Sequence, residues 1–178
     1  MHSNGKSITF NRDSLGRITS ITDPNGNSQT YTYDTNGDLV SYTDNQNNTS
    51  TYTCDANHRL LTIHDPRGIQ PIRNDYDADG RLISHTDGFG KQITYIHDIA
   101  SRVETVTDRL GNPTRFEYDE RGNVLRKTDA KGGVTIFTYD ANDNVLTETN
   151  ALGKTTTYTY DADDHRTSIT DPLGNVTY

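Results

Sequence analysis

The sequence is poor in the residues that build a compact core or a covalent framework. Only 30% of its 178 residues are hydrophobic, well below ordinary globular usage, so we expect little apolar burial per residue. Cys54 is the only cysteine, which excludes an internal disulfide and leaves the compartment open. No stretch approaches the roughly 20 apolar residues of a membrane helix, so we expect no membrane insertion. No signal-peptide pattern follows Met1.

Positive charge is also scarce, and the abundant residues are of another kind. The chain has 17 Lys and Arg against 25 Asp and Glu, a formal net charge of −8. Binding to nucleic acid needs clustered Lys and Arg, so we expect no nucleic-acid partner. Tyr occurs 11 times, and Thr, Asn, Asp and Gly are frequent. Because disordered chains lack aromatic and β-branched residues, this composition indicates ordered β-structure.

Patterns typical of catalytic or metal sites are missing from the sequence. The six histidines show no zinc spacing such as His-x-x-x-His, and no glycine-rich phosphate loop opens a helix. Residues 140–144 resemble an EF-hand start, but Val145 and Ala151 stand where that loop needs Gly and Glu. Cys54 has no recognisable His or Asn partner. The acidic residues 161–165 are weighed as a weak cation site, and a solvated turn explains them better. We predict no enzyme activity, no cofactor and no metal.

The frequent residues recur as a repeat anchored on aspartate. Eight Asp residues are spaced by 21 residues at every step but one, and the step from Asp55 to Asp77 is 22. The anchors are Asp13, Asp34, Asp55, Asp77, Asp98, Asp119, Asp140 and Asp161. The preceding residue is Tyr33, Tyr76, Tyr118, Tyr139 or Tyr160, with Arg12, Cys54 and His97 in the other units. The spacing predicts eight structural units.

Further positions are fixed relative to each anchor. Seven units carry an aromatic residue three positions earlier, an aliphatic residue five positions later and Thr nine positions later. A second acid follows at ten and a glycine at thirteen, each with one exception. The glycines are Gly26, Gly68, Gly90, Gly111, Gly132, Gly153 and Gly174. We predict that these glycines, the Tyr residues and the anchoring Asp residues are structural and not catalytic.

Each unit is predicted to consist of two short strands and two turns. Asp-x-x-Gly is typical of a type I turn, in which the Asp carboxylate accepts a hydrogen bond from the N–H two residues on. An odd period would reverse the two faces in successive units. We therefore predict a three-residue loop after Tyr-Asp, closed by a Gly bulge where Gly is present, and a four-residue loop at the second turn. The predicted pairs are Tyr33–Leu39, Tyr118–Val124, Tyr139–Val145 and Tyr31–Ser41. The 22-residue unit should contain a bulge beside Pro71.

The predicted fold class is all-β, with tandem antiparallel β-hairpins of about 21 residues that form one long, strongly curved sheet. Eight units give about sixteen strands, more than open twisted sheets carry without curling. We expect residues 1–9 to be a lead-in, with Met-His-Ser typical of an added expression sequence, and residues 10–178 to form an array open at both ends. Open edges favour self-association, and we expect the array to be a slice of a longer one.

A tandem Tyr-Asp…Gly-x-Leu…Thr-Asp-Pro-x-Gly unit resembles the YD-repeat, or Rhs, family, and the resemblance covers Phe10 to Tyr178. It implies β-hairpin ribbons that spiral into a hollow shell, which in bacterial toxins encloses a C-terminal toxin. The implied partners are the rest of the parent repeat shell and the enclosed toxin domain, and the implied location is secreted or cell-surface. Toxin-type shells end in an Asp-Pro-x-Gly-Leu segment linked to self-cleavage. Here residues 171–174 continue as an ordinary repeat, so that step is not placed on this chain.

A binding role is the alternative to a passive wall. Tyr flanked by Asn, Asp and Thr can stack on sugar rings, so a surface-exposed repeat array could bind carbohydrate or a partner cell. Packing within the sheet explains the Tyr residues better. Exposure distinguishes the two readings, because a sugar platform needs several bare Tyr rings on one face.

Overall fold

The structure is a computed structural model that describes residues 6–178, so the predicted lead-in lies largely outside the described residues. Every regular element in this range is a β-strand, seventeen in all. No helix in the described part of the chain is long and apolar enough to cross a membrane. The chain divides into two compact parts, an N-terminal part, Met1–Gln92, and a C-terminal part, Ile93–Tyr178, which we describe in turn.

The N-terminal part contains eight strands, and each pairs antiparallel with the next one along the chain. They are β1 (Thr9–Arg12), β2 (Ile18–Thr22), β3 (Ser28–Tyr33), β4 (Leu39–Thr43), β5 (Thr49–Cys54), β6 (Leu60–His64), β7 (Ile72–Tyr76) and β8 (Leu82–Asp87). The β-branched and aromatic residues of the repeat form these strands, and the turn residues separate them.

The C-terminal part contains the remaining nine strands in the same consecutive antiparallel order. They are β9 (Gln92–Asp98), β10 (Val103–Thr107), β11 (Pro113–Tyr118), β12 (Val124–Thr128), β13 (Val134–Tyr139), β14 (Val145–Thr149), β15 (Thr155–Tyr160), β16 (Arg166–Thr170) and β17 (Val176–Thr177). The predicted class, an all-β array of tandem antiparallel hairpins, is confirmed.

The two faces of each sheet differ, and neither covers a buried core. Among residues 6–178 no hydrophobic side chain is buried, and Ser84 is the one buried polar residue. In β3 the exposed residues Ser28, Thr30 and Thr32 alternate with half-buried residues that include Tyr31 and Tyr33. The face that carries Tyr and the aliphatic residues is therefore covered only by its own side chains. This confirms the small apolar burial expected from composition.

The opposite face carries paired Ser and Thr hydroxyls. The Thr32 Oγ1 and Ser41 Oγ atoms lie 2.5 Å apart, and Thr53 and Thr62 Oγ1 lie 2.6 Å apart. Across the second turn of a unit, hydroxyls pair in the same way. Such pairs are Thr22–Ser28, Thr43–Thr49 and Thr149–Thr155. Cross-strand pairs of this kind stabilise a sheet by about 0.2–1 kcal/mol each.

Seven of the eight units close both of their turns with the same geometry, so the three-residue loop predicted after Tyr-Asp is confirmed and the four-residue loop predicted at the second turn is wrong. The anchoring N–H donates to the carbonyl four residues on, and the N–H three residues on donates back to the anchoring carbonyl. At the second turn, Asp23 N–H to Asn27 O is 2.9 Å and Gly26 N–H to Asp23 O is 3.0 Å. At the first turn, both corresponding distances from Asp13 are 3.0 Å. Each of these turns encloses three residues, so loop length does not restore the faces.

A β-bulge restores the faces instead. Tyr33 pairs with Leu39 as predicted, but Thr32 pairs with Ser41, which leaves Val40 as an extra residue in β4. The same shift recurs in seven hairpins. The extra residues are Thr19, Val40, Leu61, Ile83, Leu125, Leu146 and Thr167. Because a bulge sets two residues against one, each hairpin recovers the alternation that its odd period would lose.

The bulge also changes one predicted pair. Tyr31 lies opposite Tyr42 and not opposite Ser41, and the two rings are 5.3 Å apart at their centroids. The other predicted partners of the anchoring Tyr are confirmed. They are Tyr118–Val124 and Tyr139–Val145.

Two units are irregular. The hairpin that begins at Asp98 has no bulge, because Asp98 pairs directly with Val103 around a four-residue loop. In the 22-residue unit, Asp65 N–H donates to Ile69 O, yet Ile63 pairs with Ile72. One extra residue therefore lies in the segment of Gln70 and Pro71, which confirms the predicted bulge beside the proline.

The turn glycines are needed for their backbone conformation. All seven predicted glycines have φ between +72° and +88°, and a Cβ added at any of them meets nothing within 4 Å. L-residues avoid this region, but Asn and Asp tolerate it. Accordingly Asn47 occupies the glycine position of its turn at φ +63°.

We predict that Gly111→Ala destabilises the chain by about 1–2 kcal/mol, the cost of a left-handed backbone for a residue with a Cβ. Gly111→Asn should lose less. Leu110→Ala, in the same turn at a side chain that is 85% exposed, is the matched control and should change stability by under about 0.5 kcal/mol. Urea unfolding followed by circular dichroism measures all three, and equal losses for the Gly111→Ala and Leu110→Ala variants would contradict the account.

Candidate functional site

The anchoring aspartates organise their own turns. Asp119 Oδ1 accepts backbone N–H groups of Arg121 at 2.8 Å and Asn123 at 2.9 Å, and its Oδ2 accepts the Asn123 side chain at 3.2 Å. Both backbone contacts recur at six other anchors. These are Asp13, Asp34, Asp55, Asp77, Asp140 and Asp161. At Asp98, Oδ1 accepts the Ser101 N–H at 3.1 Å. Turn capping thus accounts for the row of aspartates.

The same hydrogen bonds lower the pKa of most turn carboxyls. At Asp23 the main cause is the Asn27 side chain, followed by the Asn27 backbone N–H. At Asp77 the backbone N–H of Arg81 is the largest cause, and burial opposes it. These carboxyls are held ionised by their own turns, as expected of capping groups and not of proton-transfer groups.

The anchoring tyrosines tie each hairpin to the preceding one. The Tyr33 hydroxyl donates to the Ile18 carbonyl at 2.8 Å. Ile18 directly precedes the bulge of β2, and the ladder between β2 and β3 ends at Ser20 and Thr30. The bulge thus removes the Ile18 carbonyl from the ladder, and the tyrosine satisfies it, as buried carbonyls require. The same contact joins Tyr76 to Leu60, Tyr139 to Val124 and Tyr160 to Val145 at 2.8–3.0 Å.

Cys54 interrupts this series in the third repeat unit, whose anchor is Asp55. It occupies the tyrosine position opposite Leu60 and lacks the hydroxyl that the other units donate to a carbonyl. Burial, with the nearby Asp38, Asp34 and Asp55, raises the pKa of the Cys54 thiol. A raised pKa opposes formation of the thiolate, the reactive form, which weighs against a nucleophilic role for this cysteine.

The tyrosine rings do not form the bare platform that a sugar site needs. All tyrosines from Tyr31 to Tyr160 are half-buried, and Tyr178 is the one exposed tyrosine in the described part of the chain. The hydroxyls of four anchoring tyrosines are already donated to backbone carbonyls. This arrangement favours a packing role for the tyrosine face.

One acidic group has the spacing of a cation site. Ligand atoms of Asp161, Asp163 and His165 lie within 4.8 Å of one another, and all three residues are exposed. Asp161 Oδ1 accepts the backbone N–H groups of both other residues at 2.9 Å. These are the contacts of every regular turn, so the turn explains the cluster. Residues 140–144, the EF-hand-like stretch, form a turn of the same kind.

A cavity of about 390 Å³ lies between the irregular hairpin at Asp98 and the turn that follows Tyr118. His97 stands there in the tyrosine position, and its Nδ1 lies 3.2 Å from Glu104 Oε1. The Tyr118 hydroxyl donates to Glu104 Oε2 at 3.1 Å. Burial, together with this contact, raises the pKa of Tyr118 to about 12. The lining is His97, Asp98, Ile99, Arg102, Val103, Glu104, Tyr118, Asp119, Glu120 and Gly122.

The absence of a bulge explains the different partner of Tyr118. The ladder between β10 and β11 runs to Val103 and Glu117, and Tyr118 N–H donates to Arg102 O at 3.0 Å. No bulge frees the Val103 carbonyl here, and the hydroxyl turns to a carboxylate. Sequence reasoning missed this cavity and the bulges in the second strand of each regular hairpin. The signal for the bulges was present, since pairs such as Leu39-Val40 place two apolar residues in succession where strict alternation allows one.

Register, capped turns and hydroxyl contacts define the class: the chain is an array of tandem β-hairpins with a signature in every unit. The RHS Repeat family matches it six times, and these matches span most of the chain. They cover residues 12–45, 33–70, 76–113, 102–134, 118–154 and 139–176. The chain therefore belongs to the RHS repeat family, as its sequence pattern indicated.

Solved structures share the fold at low sequence identity. The structure of TcdB2-TccC3 without its hypervariable C-terminal region has a TM-score of 0.72 at 13% identity, covering 98% of this chain and 10% of that one. TcdB2-TccC3-TEV has a TM-score of 0.60 at 14% identity, covering 98% and 12%. A Tc holotoxin pore from Photorhabdus luminescens has a TM-score of 0.55 at 14% identity, again covering 98% and 12%. The chain thus spans about a tenth of these proteins. A comparison with curated proteins finds no match.

We predict that Tyr139→Phe destabilises the chain by about 1 kcal/mol, the net value of one hydrogen bond. Its hydroxyl is donated to the Val124 carbonyl, which would lose its partner. Tyr52→Phe is the matched control, because the Tyr52 hydroxyl donates to none of the described residues, and it should leave stability unchanged. Urea unfolding of both variants tests this, and the prediction is wrong if the Tyr139→Phe variant unfolds at the wild-type midpoint.

We predict that stability falls on acidification below about pH 4, near the ordinary Asp pKa. The folded pKa of turn carboxyls such as Asp23 and Asp171 is lowered, so the unfolded chain binds protons first. Their contribution is therefore present above the unfolded pKa and is lost as pH falls through the folded pKa. Urea midpoints between pH 6 and pH 2.5 measure this, with added salt to screen net charge. A midpoint that stays constant or rises on acidification would refute it.

Proposed function

We propose that the chain is a non-catalytic wall segment of a larger Rhs-type shell that encloses a C-terminal toxin of its parent protein for delivery. The observation that carries this is the series of tyrosine–carbonyl contacts. Each joins one hairpin to the preceding one, which supports a repeat that extends a sheet as a wall segment requires. The partners on this proposal are the rest of the repeat shell and the enclosed toxin domain.

The structural relatives support this direction. They come from Tc toxin proteins, one of which has a hypervariable C-terminal region, the kind of segment that a repeat wall would enclose. A secreted location with delivery to a target cell follows from the same analogy. Self-association through open sheet edges stays a prediction, as does the alternative of a surface array that binds carbohydrate or a partner cell.

Protease protection in the full-length parent protein tests the proposal. We expect the segment C-terminal to the repeats to resist trypsin while the parent is intact, and to be digested once the wall is weakened by Tyr139→Ala. The matched control is Tyr52→Phe, which should keep the protection. Rapid digestion of the C-terminal segment in the intact wild-type parent would contradict enclosure.

A further inference from the structure

A site lies between the irregular hairpin at Asp98 and the next hairpin, and at the corresponding position two other units hold an arginine side chain of their own. In the first unit, the Arg17 guanidinium lies 4.6 Å above the centre of the Tyr33 ring. Its Nε donates to Asp13 Oδ2 at 2.7 Å. The guanidinium is thus held between the anchoring Asp of its own unit and the anchoring Tyr of the next unit.

A second pair, in the third repeat unit, repeats this arrangement. Arg59 lies 5.1 Å from the centre of the Tyr76 ring and donates to Asp55 Oδ2 at 2.6 Å. Both arginines stand four residues after their anchor. In both pairs, the space between the anchoring Asp of one unit and the anchoring Tyr of the next holds a planar cation. This cation stacks on the ring and donates to the carboxylate.

In the repeat unit that begins at Asp98 the corresponding arginine is turned away. Arg102 stands four residues after Asp98, but the four-residue loop gives it a φ of +53°. Its side chain donates to Glu120 Oε1 at 2.8 Å. Among residues 6–178, no cation lies over the Tyr118 ring at the distances of the Arg17–Tyr33 and Arg59–Tyr76 pairs. Asp98 and Tyr118, which correspond to Asp13 and Tyr33, line the cavity of about 390 Å³.

The charge of the cavity suits a cation. Four carboxyl groups line it, and its only arginine is paired with one of them. The four are Asp98, Glu104, Asp119 and Glu120. Glu104 is unusual because it occupies the position where bulged hairpins carry an apolar residue or Thr. Each of its oxygens has one protein contact, from His97 and Tyr118, and a carboxylate oxygen can accept a second hydrogen bond.

We propose that this cavity binds the guanidinium group of an arginine side chain from a polypeptide partner. The guanidinium stacks on the Tyr118 ring and donates to Glu104 and Asp98, as Arg17 does with Tyr33 and Asp13. Arginine suits the site better than lysine, because its planar fork stacks on an aromatic face and donates to two acceptors at once. The inference stands independently of the enclosure role, since the site lies between two neighbouring hairpins of this chain.

Titration of the whole chain with Nα-acetyl-arginine amide tests the proposal. We expect the ring signals of Tyr118 to shift in NMR spectra of tyrosine-labelled protein, with assignment from Tyr118→Phe. Nα-acetyl-lysine amide should bind more weakly. Glu104→Gln should weaken arginine binding by about tenfold or more, the loss of one charge-assisted hydrogen bond. The unchanged signals of the other tyrosines show that the variant is folded.

Glu148→Gln is the matched control. Glu148 also accepts a tyrosine hydroxyl, from Tyr158 at 3.4 Å, but it does not line the cavity, so this variant should bind arginine amide as the wild type does. The proposal is overturned if arginine amide leaves Tyr118 unshifted or if lysine amide binds equally well. It is also overturned if only magnesium shifts Tyr118, or if Glu104→Gln binds with unchanged affinity.

Discussion

An odd repeat length imposes the constraint on which the rest of the structure depends. Two strands joined by identical three-residue turns would present opposite faces in successive units if the period were 21 and every residue paired. The chain resolves this with one unpaired residue per hairpin, such as Val40 or Leu125. Each bulge keeps tyrosines and aliphatic residues on one face and the paired hydroxyls on the other. Without it, no continuous tyrosine face would exist.

The bulge has a cost that the tyrosines offset. It takes a carbonyl out of the ladder, and the tyrosine of the next hairpin donates to that carbonyl, as Tyr139 does to Val124. Residues 6–178 form no buried apolar core, so such local contacts hold neighbours together, as the interfaces between repeats do in other repeat proteins. Where the bulge is missing, at Asp98, the tyrosine takes a carboxylate instead, and a cavity opens beside it. One change of loop length therefore converts a structural contact into a candidate binding site.

Sequence periodicity alone predicted the hairpins, the capped turns and the partners of Tyr33 and Tyr118, because these follow from residue type at fixed spacing. It misplaced the parity correction in the second loop, since Asp-Pro-x-Gly and Tyr-Asp turns differ in sequence but close alike. The apolar pair Leu39-Val40 marked the true position. The cavity at Asp98 was not predictable, because it depends on where Arg102 points after a loop that is one residue longer. The tyrosine hydroxyl partners likewise needed the geometry of the freed carbonyls.

The central claim is that the bulge and the tyrosine hydroxyl act as one device. A double-mutant cycle tests it most directly, combining deletion of Leu125, which removes the bulge of β12, with Tyr139→Phe. Deletion should return the Val124 carbonyl to the ladder. We predict that Tyr139→Phe costs about 1 kcal/mol in the bulged chain and close to nothing in the deletion variant, measured by urea unfolding. An equal cost in both backgrounds would show that the hydroxyl stabilises the sheet independently of the bulge, and would contradict the account.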